Sequence, residues 1–321
     1  MLQPFLTYRV PGWRTPTAWA AIIPNDTPDG VTDRRSDSIA GARRVSAMLR
    51  PWKLEDIAWS SFDSSAVDPR LLAAVKTAAV VEANSADYVR YLHNIFSEDA
   101  DFKAAAARWG DEEAQHGAAL GRWAEMADPG FDFAASLARF RAGYRIPIDR
   151  EQSVRGSRAG ELLARCVVES GTCSYYSALR DHAREPVLRQ ICHRIAQDEA
   201  RHYRLFHSYF ARYAKGARLG PWARLRIALA RVAETDDDEL AYAYHSANEV
   251  HRDGVAYDRR RCAGVYQRLA MSMYGLPHVR TLVAMIALAL GIRGSARLVR
   301  VVAWLGWWWL RLRWSAGLIG R

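Results

Sequence analysis

The sequence predicts an all-α protein, and three observations support this prediction. From Asp68 to about Lys215, long stretches rich in Ala, Leu and Arg repeat their apolar residues every three to four positions. No stretch alternates apolar and polar residues as a half-buried strand would. The breaks between stretches carry the residues that end one helix and cap the next, in the sequences SEDADF, ADPGFDF, YRIPIDR and AREP.

Composition divides the chain into four regions. Residues 1–67 are rich in Pro, Asp, Ser and Thr, which predicts an irregular N-terminal arm. Residues 68–215 predict a helical bundle, residues 216–274 predict accessory helices, and residues 275–321 form a basic, Trp-rich amphipathic segment. Half of the 321 residues are apolar, so the chain can bury a substantial core.

The net charge of +10 belongs mainly to the C-terminal segment. Residues 275–321 contain seven Arg and no Asp or Glu, so the remaining chain is close to neutral. No phosphate-binding loop, zinc-finger spacing or RNA-binding motif accompanies this charge, which argues against nucleic-acid binding. The four cysteines form no Cys-x-x-Cys pair and the N-terminal sequence lacks secretory features, so we expect a cytoplasmic protein.

Four predicted helices carry an acidic residue in the middle of an apolar face, because residues three, four and seven positions apart share a face. Pro186 suits the first turn of the fourth helix. The four faces contain, in order, Val75, Ala78, Ala79, Glu82, Ala86 and Val89; Trp109, Glu113, His116, Leu120 and Trp123; Leu162, Cys166, Glu169, Thr172, Cys173 and Tyr176; and Leu188, Ile191, Ile195, Glu199, His202, Phe206 and Tyr209. Buried carboxylates without a partner are costly, so this pattern requires a compensating positive charge.

Two metal ions would supply that charge. The predicted ligands are Glu82, Glu113, His116, Glu169, Glu199 and His202. In each half of the region a lone glutamate precedes a Glu-x-x-His motif, by 31 residues in the first half and 30 in the second. Glu and His three positions apart can bind one ion, while the lone glutamates bridge or cap the pair. This ligand set suits iron or manganese and is typical of dinuclear helical bundles. The alternative is a coincidental set of buried ion pairs with nearby arginines.

The two motifs resemble a known family. WGDEEAQHG, which begins at Trp109, resembles the Trp-x-x-Glu-Glu-x-x-His-Gly segment of soluble acyl-carrier-protein desaturases, and IAQDEARHY resembles their Asp-Glu-x-x-His segment. Both are also similar to segments of the wider superfamily of ferritin-like di-iron oxygenases, and the resemblance covers residues 68–213. It implies a ferritin-like four-helix bundle with a dinuclear site in its core, two iron ions and a ferredoxin-like electron-donor protein.

The resemblance also implies roles for four further residues. Asp198 and Glu112 each precede a ligand glutamate and would orient a ligating imidazole, and Arg201 would complete this outer set. Thr172, one turn after Glu169, matches the catalytic hydroxyl that faces the dioxygen site. The alternative for Thr172 is an ordinary helical threonine bonded to its own backbone.

The C-terminal segment predicts a helix that lies on a membrane surface. Its charge-free runs, TLVAMIALALGI and VVAWLGWWWL, are shorter than the roughly 20 residues needed to cross a bilayer. A helical projection separates Arg293, Arg297, Arg300, Trp304, Trp307 and Arg311 from Leu298, Val302, Leu305, Trp309 and Leu312. Such faces are typical of helices bound to anionic lipid. The alternative is packing on the protein's own bundle or at a homodimer interface.

These features predict a dioxygen-activating, non-haem di-iron oxidoreductase at the inner face of a membrane. We expect it to desaturate or hydroxylate a fatty-acyl or other long apolar lipid, which would partition into that membrane. The alternatives are a ferroxidase or other iron-handling protein without an organic substrate, and a scaffold whose metal site has decayed. Outside these motifs, His245 and Glu249 are four residues apart and are expected to pair on the surface.

Overall fold

The computed structural model describes residues 51–217, 219–234, 238–249, 255–292 and 296–315. All regular structure in these residues is helical, as predicted. Short 3-10 helices lie at Leu54–Asp56, Trp59–Ser61 and Ser64–Ala66. The α-helices are α1 (Pro69–Glu82), α2 (Ser85–Ile95), α3 (Ala100–Ala127), α4 (Phe133–Gly143), α5 (Arg158–His182), α6 (Pro186–Ala214), α7 (Pro221–Ala233), α8 (Asp238–Asn248), α9 (Arg259–Met273), α10 (Leu276–Ala289) and α11 (Ala296–Ser315). Residues 1–50 of the predicted arm and Arg293 lie outside the described residues.

Capping residues define the starts of the long helices. The side chain of Asp99 accepts a hydrogen bond from the first turn of α3, and that of Ser157 does the same for α5. Helix α6 begins at Pro186, the predicted position, directly after its capping residue Glu185. Glu185 also accepts a hydrogen bond from the indole of Trp123 at 2.6 Å, which joins the start of α6 to α3.

The first predicted helix is shorter than expected. The sequence predicts one helix that continues past Glu82. In the structure α1 ends at Glu82 and a separate helix, α2, begins at Ser85. Arg141 of α4 donates to the carbonyl of Ala83 at 2.7 Å and to the side-chain oxygen of Asn84 at 3.3 Å. Asparagine favours turns, and these bonds give the backbone after α1 a partner outside the helix. Glu82 therefore lies at the end of its helix and not in the middle.

Four helices carry the predicted ligands. Helix α1 packs along α3, α5 packs along α6, and α3 contacts α6. The buried apolar side chains form two clusters, one containing Trp123 and Ile191 and the other containing Trp109 and Phe206. None of the six predicted ligands belongs to either cluster, and on α3 and α6 they lie between the residues of the two clusters. A polar layer therefore separates two apolar cores.

The later helices pack around these four. Helix α8 contacts α1 and α4, α9 contacts α8, and α10 contacts α5. Helix α11 packs on α10. Among the described helices, none has the length and apolar composition that a membrane-spanning segment needs.

Candidate metal centre

The structure brings the six predicted ligand residues together. Their ligand atoms form two groups, and within each group the atoms lie within 4.8 Å of one another. The first group contains Glu82, Glu113, His116 and Glu199, and the second contains Glu113, Glu169, Glu199 and His202. Each group could hold a metal ion. Because Glu113 and Glu199 belong to both groups, they lie where bridging ligands would, and the lone glutamates Glu82 and Glu169 cap one group each.

The two imidazoles are oriented alike. Nδ1 of His116 lies 3.2 Å from Oε2 of Glu113, and its Nε2 lies 3.0 Å from Oδ2 of Asp198. Nδ1 of His202 lies 3.0 Å from Oε1 of Glu113, and its Nε2 lies 2.7 Å from Oε2 of Glu112. Each ring turns one nitrogen toward the centre and the other toward an outer carboxylate. Such a partner fixes the tautomer and orientation of a metal-binding imidazole.

Arg201 connects the two outer carboxylates. Its guanidinium contacts Asp198 and lies 3.3 and 3.2 Å from the two carboxylate oxygens of Glu112. Burial alone would raise the pKa of both carboxyls, but hydrogen bonds from His116 and His202 and the charge of Arg201 lower it. Asp198 and Glu112 are therefore anionic acceptors for the two imidazoles. Asp198 and Glu112 thus contact the imidazoles and Arg201 contacts both carboxylates, while their roles at a metal centre stay a prediction.

Trp52 is a site residue that the sequence pattern does not indicate. Its indole Nε1 donates to Oδ2 of Asp198 at 2.7 Å. The indole stacks on His116, with the ring centroids 6.1 Å apart and the planes 7° from parallel. The side-chain amide of Gln115 donates to the carbonyl of Trp52 at 2.9 Å. One residue of the predicted irregular arm thus covers one side of the centre.

Two hydroxyl groups bind carboxylates of the centre. Tyr176 donates to Oε1 of Glu82, and Thr172 donates to Oε2 of Glu199 at 2.6 Å. The Thr172 hydroxyl also lies 3.3 Å from each of two carbonyl oxygens of its own helix. It therefore makes the backbone contacts of the alternative interpretation, but its bond to Glu199 is shorter. The helical periodicity places Tyr176 on the buried face but does not assign it to the site. Its position seven residues after Glu169 is the signal that could have identified it.

Burial and mutual repulsion control the protonation of the centre. Burial, followed by the charges of neighbouring carboxylates, raises the pKa of Glu82 and Glu169 well above the usual range. Burial opposes the charged form of His116 and His202, but the surrounding carboxylates raise the pKa of both imidazoles. When no metal ion is bound, protons on these carboxyl and imidazole groups therefore balance part of the negative charge of the centre.

The donor atoms fit a pair of divalent cations. Three buried atoms at the centre form no well-aligned hydrogen bond with the described residues: Oε1 of Glu169, Oε1 of Glu199 and Nδ1 of His202, although this nitrogen lies 3.0 Å from Oε1 of Glu113. Buried polar atoms rarely lack a partner, and metal ions would satisfy all three. In the described part of the chain, no Lys or Arg forms a salt bridge with the six residues, since the nearby Arg201 pairs with the outer carboxylates. The alternative of ion pairs with arginines therefore does not account for the charge.

The negative charge of a third group of possible metal ligands is neutralised by an arginine side chain. His245 and Cys262 lie 3.1 and 3.3 Å from Oε2 of Glu249, and all three residues are buried. The expected pairing of His245 with Glu249 is present, but it is buried and not on the surface as predicted. The guanidinium of Arg261 binds both carboxylate oxygens of Glu249 and neutralises its charge. This group needs no metal ion to explain it.

No protein-family model matches the chain, and no curated protein matches its sequence.

Proposed function

We propose that the protein is a ferritin-like four-helix bundle that binds two iron ions between α1, α3, α5 and α6 and uses dioxygen as an oxidant. The observation that carries this proposal is the pair of overlapping donor groups that share Glu113 and Glu199. Manganese at one or both positions fits the same oxygen and nitrogen donors. When bound, the metal pair supplies the redox chemistry of dioxygen activation.

The surrounding residues have distinct roles in this proposal. Asp198 and Glu112 hold the two imidazoles through their outer nitrogens. The Thr172 hydroxyl donates a hydrogen bond to Oε2 of Glu199 at 2.6 Å and is the proposed catalytic hydroxyl. The two apolar clusters exclude water from both ends of the polar layer.

The proposed reaction is desaturation or hydroxylation of a fatty-acyl or other long apolar lipid. Either reaction uses one dioxygen molecule and takes two electrons from an external donor, so a ferredoxin-like protein is the proposed partner. The apolar surroundings of the centre and the exposed apolar face of α11 support a substrate of this class. The proposed location is the cytoplasm, at the inner face of a membrane.

Metal analysis tests the first part of this proposal. Protein loaded anaerobically with iron(II) is expected to hold two ions per chain, and the Mössbauer spectrum of the oxidised protein is expected to show a magnetically coupled pair. Replacing both shared glutamates, in Glu113→Ala/Glu199→Ala, should abolish both sites. Glu161→Gln is the matched control, because Glu161 is also buried but belongs to neither group. Wild-type protein that binds no iron would refute the metal centre.

Incubation with lipid tests the reaction. Reduced, iron-loaded protein is mixed with a membrane lipid extract, dioxygen and an electron donor, and the lipids are analysed by mass spectrometry. Loss of two hydrogen atoms from an acyl chain would indicate desaturation, and gain of one oxygen atom would indicate hydroxylation. Dioxygen consumption with unchanged lipids would favour the iron-handling alternative.

A further inference from the structure

We propose that the outer face of α11 binds the surface of an anionic lipid bilayer. The proposal depends on the geometry and charge of this helix and not on the metal centre.

Helix α11 has distinct inner and outer faces. On the inner face Ala303 is fully buried, and a Cβ added to Gly306 would be in van der Waals contact with Cγ1 of Val279 on α10, at 3.8 Å. The outer face contains five large apolar residues that each expose 45–63% of their surface: Leu298, Val302, Leu305, Trp309 and Leu312. They are the five residues that the helical projection placed on the apolar side. At 1.5 Å per residue the stripe is about 21 Å long.

The outer face is too apolar to be explained as ordinary surface. Trp304 and Trp308, beside the stripe, are also exposed. Folded proteins rarely expose a continuous apolar patch of this extent unless it is an interaction site. Tryptophan is enriched where proteins meet the interface between lipid and water. The composition of this face is therefore that of a lipid-binding helix.

The charge of the segment selects an anionic surface. Residues 275–321 contain seven Arg and no acidic residue. Arg297 and Arg311 lie near the two ends of the stripe and are exposed. Basic residues beside an apolar face are attracted to anionic headgroups. Because no described helix could span a bilayer, we expect α11 to lie parallel to the surface.

Charge also argues against a second copy of the chain as the partner. A symmetric dimer through this face would bring Arg297 and Arg311 of one copy close to the same residues of the other. The segment has no acidic residue to offset the repulsion, and like charges across an interface are strongly unfavourable. A bilayer of anionic lipid brings the opposite charge.

Vesicle co-sedimentation tests the proposal. Full-length protein is mixed with vesicles of phosphatidylcholine alone or of phosphatidylcholine with phosphatidylglycerol, at low and high salt. The apolar variant is Val302→Asp/Leu305→Asp, and the charge variant is Arg297→Gln/Arg311→Gln. The control is Val154→Asp, which adds an acidic group at an exposed valine outside the C-terminal segment. Circular dichroism checks that each variant is folded.

Wild-type protein is expected to bind the anionic vesicles and to lose affinity at high salt and on phosphatidylcholine alone. The apolar variant should lose at least about tenfold in affinity, and the charge variant about fivefold per arginine. The control should bind like wild type. Metal-free and metal-loaded protein should bind equally, so this result is separate from the test of the metal centre.

Three results would overturn the proposal. The first is failure of wild-type protein to sediment with anionic vesicles, and the second is equal binding by wild type and the apolar variant. The third is a dimer, measured by analytical ultracentrifugation without lipid, that is dissociated by the substitutions of the apolar variant. That result would assign the face to a second copy of the chain.

Discussion

Replacing Glu169 with glutamine tests whether the centre is built to hold a cation. Glu169 is buried and its Oε1 has no hydrogen-bond partner among the described residues. Burial and the charges of Glu199 and Glu113 raise its pKa well above the ordinary value of 4.5. A carboxyl whose pKa is higher in the folded state than in the unfolded state lowers the stability of the fold at every pH at which it would be ionised in the unfolded chain. Metal-free Glu169→Gln should therefore be more stable than metal-free wild type near neutral pH, by about 1.4 kcal/mol or more, the free energy equivalent to one pKa unit.

A metal ion should reduce this difference. An ion that binds only the folded chain adds about 4 kcal/mol of stability at a free concentration 1,000 times its Kd. Glu169→Gln removes a carboxylate ligand, so the ion should increase the stability of this variant less than that of wild type. The assay is thermal unfolding with and without added iron(II) or manganese(II). In a protein of this size 1 kcal/mol changes Tm by about 2–4 °C, so both differences are measurable.

The pH dependence of the gain has a definite sign. Below the ordinary pKa of 4.5 the Glu169 carboxyl is protonated in the folded and unfolded states, so variant and wild type should be equally stable. The advantage of the variant should appear above this pH and grow until the folded-state pKa is reached.

Glu161→Gln is the control, because Glu161 lies on the same helix, is also buried, and accepts hydrogen bonds from Tyr91 and Ser153 at 2.9 and 2.7 Å. Its replacement should destabilise the protein by about 1–3 kcal/mol near neutral pH and leave the metal-induced rise in Tm unchanged. If Glu169→Gln behaves like this control, our account of Glu169 is wrong.

Three further predictions concern the same region. Metal binding should release protons and weaken as pH falls, because the pKa of both imidazoles and both lone glutamates is raised; calorimetry in buffers of different ionisation enthalpy counts the protons, and none released would contradict this. Asp198→Asn should lower metal affinity about 10–100-fold and change the fluorescence of Trp52, and a metal titration that matches wild type would contradict it. Gly117→Ala should destabilise the protein by roughly 1–3 kcal/mol, because an added Cβ would lie 2.6 Å from the backbone nitrogen of Ala83. Gly171→Ala, which meets nothing within 4 Å, should stabilise it by up to about 1 kcal/mol; equal effects in urea denaturation would contradict this pair.

The helical class and the grouping of the acidic and histidine residues were predictable because both depend on local periodicity. Glu113 and His116 lie three positions apart on a face whose other members are Trp109 and Leu120, so one helix is enough to place both on the buried side. The same is true of Glu199 and His202 on α6. A charge on such a face demands a partner, so the sequence predicts that the four helices meet at their acidic residues.

Contacts between distant segments were not predictable in this way. Trp52 meets Asp198 across 146 positions of sequence, and Tyr176 meets Glu82 across 94. Periodicity shows which residues share a face, but it does not show which residue from another segment reaches that face. The end of α1 at Glu82 also depends on a distant contact, because Arg141 from a later helix donates to the backbone carbonyl of the next residue.

The position of the polar layer between two apolar clusters explains why the carboxylates remain together. On α5, Leu162 and Leu179 pack in different clusters, and Glu169 lies between them. To separate the charges, the helix would have to withdraw apolar side chains at both ends, and each large side chain exposed costs about 1.5–3 kcal/mol. The clusters therefore hold the carboxylates at short distances that their own repulsion opposes. The same contacts that weaken the metal-free fold keep the donor atoms in place for a cation, and this is why Glu169→Gln should affect stability and metal affinity in opposite directions.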